Sequence, residues 1–115
     1  KKGHTIQSNG SIALASAEEL KTAAGDATAS NLVPVTKLAL NSSDTRTLTL
    51  STTDAVDGQI KYLVVTVESS TGQFAVQTAN TTLASTLVLQ TLGHSAMFMY
   101  DDEIDKWVCL SSHTP

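Results

Sequence analysis

The sequence predicts an all-β domain, an antiparallel β-sandwich or Greek-key barrel of six to eight short strands with an extended N-terminal arm. Three observations carry that expectation. Short runs of apolar and β-branched residues recur about every ten residues, with turn residues between them. Ser and Thr make up about a quarter of the 115 residues, a composition suited to the wet face of a sheet and to its turns. No long stretch of helical period separates the runs, which argues against a parallel α/β sheet.

Residues 1–30 read as the arm. They are rich in Gly, Ser, Ala and Thr, and Ile6, Ile12, Leu14 and Leu20 are isolated among them. Ser16-Ala17-Glu18-Glu19 has capping-box spacing, in which hydroxyl and carboxylate satisfy each other's free backbone amides, and Gly25 is placed to end a turn. That spacing predicts a short helix over 17–24. So short a helix is marginal alone and needs a surface to dock on.

The β body is expected over 31–115. Val33, Val35 and Lys37 alternate with Pro34, Thr36 and Leu38, and the proline suits an edge or a strand start. In Thr45 to Ser51, Leu48 and Leu50 point inward and Thr47 and Thr49 outward. Asp57-Gly58 then supplies a turn, and Ile60 to Val67 follows as the longest apolar β-type run. Leu63, Val65 and Val67 share one face and Ile60, Tyr62 and Val64 the other, so this strand is expected to be buried on both sides. Ser69 to Gly72 reads as a hairpin turn into Gln73 to Thr78, where Phe74 and Val76 share a face. Leu87 and Leu89 point inward from Thr86 to Leu92. Ala96 to Tyr100 and Lys106 to Leu110, joined by Asp101-Asp102-Glu103-Ile104-Asp105, form the last hairpin.

A chain of this length makes one domain that buries only about two thirds of the surface its unfolded form exposes. Five aromatic residues, Tyr62, Phe74, Phe98, Tyr100 and Trp107, leave most packing to Leu, Val, Ile and Ala. The modest core and the two-faced strand point to association with other copies, expected to be a homotrimer. The net charge is −4 and the basic residues are scattered, so no nucleic-acid partner is expected, because phosphate binding needs clustered Lys and Arg. No apolar run approaches the roughly 20 residues that cross a bilayer, so no membrane partner is expected either. The single cysteine, Cys109, excludes an intramolecular disulfide.

No catalytic, cofactor-binding or metal-ligating residue is assigned, and an enzyme is not expected. His4, His94 and His113 lie far apart, with no His-x-x-x-His or Cys-x-x-Cys spacing. Cys109, alternating beside Trp107, reads as a small buried thiol. The carboxylates of Asp101, Asp102, Glu103 and Asp105 suit a hard cation by type, but their spacing is not that of an EF-hand, and a solvated turn is the leading reading of 101–105. Tyr100 and Trp107 read first as plugs of a core or interface, and second as walls of a sugar-binding groove.

Three parts then combine: the Leu48-Thr49-Leu50 strand, the Asp57-Gly58-Gln59-Ile60-Lys61 strand start, and the Ala96-Met97-Phe98-Met99-Tyr100 to Lys106-Trp107-Val108 hairpin. In this order they resemble small structural proteins of tailed bacteriophages, especially marine and cyanobacterial phages. The Gly10-Ser11-Ile12 to Ala17-Glu18-Glu19-Leu20 segment is similar to the lead-in before that module. The resemblance implies a virion component on the capsid surface, first a trimeric decoration (cement) protein bound to the major capsid protein. The alternative it implies is a fibre or spike head, with glycan binding through Tyr100 or Trp107.

Overall fold

The computed structural model describes residues 4–6, 12–14, 18–22, 27–30, 33–40, 43, 45–69 and 71–114, and among them the chain is all-β, with no helix. The strands are β1 (His4–Ile6), β2 (Ile12–Leu14), β3 (Glu18–Thr22), β4 (Ala27–Ala29), β5 (Val35–Ala39), β6 (Thr45–Leu50), β7 (Ile60–Val67), β8 (Gln73–Val76), β9 (Leu87–Leu89), β10 (Ser95–Asp101) and β11 (Lys106–His113). Seven of them, β5 to β11, fall within 31–115.

From β3 to β8 the strands are dealt alternately to two sheets. One has the order β11-β10-β7-β5-β3 and the other β4-β6-β8-β9, while β1 and β2 pair only with each other in a two-stranded sheet. β3, β5 and β7 run parallel, as do β4, β6 and β8. The chain therefore winds: each turn contributes one strand to each sheet, and three turns stack. The winding then reverses, because β9 is antiparallel to β8, β10 to β7, and β11 to β10.

Four expectations change here. In the two larger sheets antiparallel pairing holds only for the strands that end the winding, and outside them β1 and β2 also pair antiparallel. Parallel pairing normally needs a crossover of about a dozen residues or more, usually a helix, but here the strand in the opposite sheet makes the crossover. For the same reason Ser69 to Gly72 is not a hairpin turn, since β7 and β8 lie in different sheets. The helix expected over 17–24 is replaced at Glu18–Thr22 by β3, paired with β5, while 17, 23 and 24 lie outside the described residues. The sheets therefore begin before residue 31.

The fourth change concerns the central strand. On β7, Lys61, Leu63 and Val65 are buried, whereas Tyr62 is 45% and Val67 49% exposed. A bulge explains Val67: Leu38 pairs with Val65 and Ala39 with Val67, which leaves Thr66 unmatched and breaks the alternation. The strand is thus buried on one face only within a single chain.

Both sheets supply the core. Leu38, Leu63, Val65, Ala96, Phe98, Tyr100 and Trp107 come from the larger one, and Ala29, Leu48, Leu50, Phe74, Val76 and Leu89 from the smaller. Each fully buried Leu, Val or Phe contributes about 1.5–3 kcal/mol before chain entropy is subtracted. Four buried polar side chains occur among the described residues: Thr36 on β5, Lys61 on β7, Thr81 between β8 and β9, and His94 just before β10.

Candidate functional site

The densest group of ionisable residues lies where the start of β7 meets the end of β10. These strands are antiparallel, with Ile60 opposite Met99, so the loop before β7 must reach the turn after β10. Gly58, at φ 82°, turns the chain so that its N–H donates to the Tyr100 carbonyl at 2.8 Å. The Tyr100 N–H in turn donates to the Gln59 carbonyl at 2.8 Å. This brings the carboxylates of Asp57, Asp101 and Asp102 to within 4.8 Å of one another.

Backbone amides occupy much of this cluster. Asp57 accepts the Asp102 N–H at 3.0 Å, and Asp101 accepts the Glu103 N–H at 2.9 Å. The Asp57 charge is the main reason the Asp102 carboxyl is held above the usual carboxylate range, with desolvation adding to it. Asp105, at φ 52°, accepts the Tyr100 hydroxyl proton. That hydrogen bond, then burial, pushes the phenol up to about 12. Oxygen ligands of this kind suit a hard cation, but calcium takes six to eight of them, and Asp57 and Asp101 each already accept a backbone N–H. Of the acidic residues named from sequence, Asp101 and Asp102 come together. Asp57 joins them in place of Glu103 and Asp105, a replacement that depends on β7 and β10 being neighbours.

The two aromatic candidates lie inside. Trp107 is 1% and Tyr100 5% exposed, their rings meet edge to face at 5.5 Å and 62°, and the indole N–H donates to the Ser51 carbonyl at 2.9 Å. Neither ring offers a face to a sugar in this arrangement.

His94 is a brace for a turn. Its Nδ1 accepts the N–H groups of Gln90 at 3.1 Å and Thr91 at 3.2 Å, and Nε2 is buried without a hydrogen-bond partner. No described hydroxyl or thiol is hydrogen-bonded to it as a base would require. Cys109 is half-buried, and desolvation pushes its thiol up, away from the reactive thiolate. His113 lies exposed at the end of β11, where it pairs with Ser95 on β10, and His4 belongs to β1, whose side chains lie outside the described residues. Among the described residues, no helix is long and apolar enough to cross a membrane.

No protein-family model matches the chain, and no curated protein matches it. Among solved structures, a chain from "Structure of a chaperone-substrate complex" is similar, with a TM-score of 0.54 and 25% identity over 70% of this chain. The match covers 14% of that chain, so the likeness is one of fold over a small part of a larger protein.

Proposed function

We propose that this chain is a non-catalytic structural module of a tailed-phage virion, working as a homotrimer in a fibre or spike head. The observation that carries this reading is the winding. Stacked two-strand turns extend along one axis, each contacting chiefly the next, and the reversal at β9 to β11 closes one end of the stack with a hairpin. Such a build suits an elongated appendage with a finished tip. The sequence resemblance at Gly58-Gln59-Ile60-Lys61 and at the Tyr100 to Trp107 hairpin supplies the phage context.

The second reading is a decoration protein that binds the major capsid protein and clamps neighbouring capsomers. The observation in its favour is the separate β1–β2 sheet, the part of the arm suited to reach across a shell. Multivalent attachment would then supply the avidity.

Copy number and location in purified particles separate the two. A few copies at the tail or a vertex, seen by quantitative mass spectrometry and gold labelling, are expected for a fibre or spike. Hundreds of copies spread over the shell, with particles that burst at lower temperature when the chain is deleted, would replace that reading with decoration.

A further inference from the structure

We propose that His94 is an acid-sensitive latch: a second proton on its imidazole releases the turn between β9 and β10, where the chain makes its last crossing from the smaller sheet to the larger one. The latch is a property of the fold and does not depend on what the protein attaches to.

Three main-chain bonds shape the crossing. The His94 N–H donates to the Thr91 carbonyl at 2.8 Å, the Gly93 N–H to the Val65 carbonyl at 3.0 Å, and the Val65 N–H to the His94 carbonyl at 2.9 Å. Gly93, at φ 89°, lets the chain double back, so that residues 90–93 are exposed while His94 is tucked in, 6% exposed. Its ring supplies the acceptor that the exposed part of the turn needs. Nδ1 accepts the N–H groups of both Gln90 and Thr91, so it carries no hydrogen, and the single proton of the neutral imidazole sits on Nε2. Nε2 is buried with no hydrogen-bond partner. A second proton has to go to Nδ1, where it faces two N–H donors. Both bonds are then lost, and a buried cation without a partner is a costly state.

The charged and titratable groups around the ring offer no rescue. The turn itself, Gln90 to Gly93, contains none. On β7, Val64 to Val67 are uncharged, and Glu68 lies exposed beyond the end of the strand. On β11 the exposed His113 is opposite Ser95, and on β5 Lys37 is opposite Val64, on the outward side of the sheet. On the smaller sheet Arg46 shares the inward side of β6 with Leu48 and lies beside Phe74, which pairs with Leu89 just before the turn. Three of these four groups are cationic or become so in acid, and they oppose a further positive charge; Glu68, the anion among them, is in water.

A solvated histidine takes its second proton near pH 6.5, whereas the closed turn excludes it. The latch therefore holds fully above that range and weakens as pH falls, with the opening constant of the turn rising about 25-fold between pH 7 and pH 5.

The test is amide hydrogen exchange of the full chain at pH 7 and pH 5, corrected for the intrinsic rate, for the wild type, His94→Asn and His113→Asn. Asn keeps an acceptor at the place of Nδ1 and does not titrate, and pH 5 stays above the ordinary carboxylate range. Protection of the Gln90 and Thr91 amides is expected to fall about 25-fold in the wild type and in His113→Asn, and to hold in His94→Asn. No fall in the wild type, an equal fall in His94→Asn, or its disappearance in His113→Asn overturns the latch. If His94→Asn does not fold, the imidazole ¹⁵N shifts of the wild type decide. The Nε2–H tautomer is expected at pH 7, with the second proton gained only as the two amides lose protection; a doubly protonated ring beneath two protected amides overturns the proposal.

Discussion

The Lys61 ammonium, 1% exposed beneath β7, donates to the main-chain carbonyl of Ser30 at 2.7 Å. It also donates to the carbonyl of Val33 at 2.9 Å. Both carbonyls belong to the connection between β4 and β5, where the chain passes from one sheet to the other. A buried cation is costly unless it is hydrogen-bonded, and here it satisfies loop carbonyls while tying one turn of the winding to the next. Lys61→Met keeps the apolar stem and removes the donors. It should lower stability by about 1–3 kcal/mol, the usual cost of stranding buried acceptors, read as a lower urea midpoint; an unchanged midpoint would show that the staple contributes nothing.

The one-sided burial of β7 predicts opposite outcomes for two valines. Val65 is 1% exposed, so Val65→Asp buries an unpaired carboxylate and should cost more than about 4 kcal/mol, enough to unfold a domain of ordinary stability. Val67, turned out by the bulge, should accept Asp within about 1 kcal/mol, as surface positions generally do. Thermal melts of the two variants check this, and equal loss in both would refute the placement.

Trp107 joins the last hairpin to the loop after β6 through its bond to Ser51. Trp107→Phe removes that donor and part of the ring that packs on Tyr100, at a cost of about 2 kcal/mol from the stranded carbonyl and the space left behind. Circular dichroism during chemical denaturation measures it, because the substitution removes the chain's single tryptophan. A shift below a few tenths of that size would mean the core closes around the smaller ring.

Asp102 is harder to ionise in the folded chain than in the unfolded one, chiefly because Asp57 is near. A raised folded pKa means that its contribution is favourable below the unfolded value and is lost as pH rises through the folded one. Asp102→Asn removes the repulsion and leaves the backbone bond to Asp57 in place. It should therefore raise the melting temperature at pH 7, with the gain fading below about pH 4 as the carboxyls protonate and shrinking in high salt. A lower melting temperature at pH 7 would mean the carboxylate makes a contact worth more than the repulsion.

Tyr100 makes an alkaline prediction of the same sign. Its folded pKa is raised to about 12, first by the hydrogen bond to Asp105. The neutral phenol therefore supports the fold fully below about pH 10, the unfolded value, and that support is lost as pH approaches 12. Tyr100→Phe should flatten the fall in melting temperature between these limits; an equally steep fall in the variant assigns it to other groups.

Strand positions and inward faces were written locally. The alternation at Leu48 and Leu50, at Phe74 and Val76, and through Ala96 to Tyr100 marks a buried face whatever strand lies alongside, because side chains reverse every residue. The hairpin around Asp101 to Asp105 was legible for the same reason, its strands being adjacent in sequence.

What the sequence by itself determined is an all-β chain, its main strands and most of its core. Pairing direction came only with the tertiary structure, since a strand's side-chain pattern is the same beside a parallel or an antiparallel neighbour. The same holds for the meeting of Asp57 with Asp101 and Asp102, and for the bond from Lys61 to Ser30. Each joins residues distant along the chain, and such proximity is set by the stacking of whole turns, which local patterns do not record.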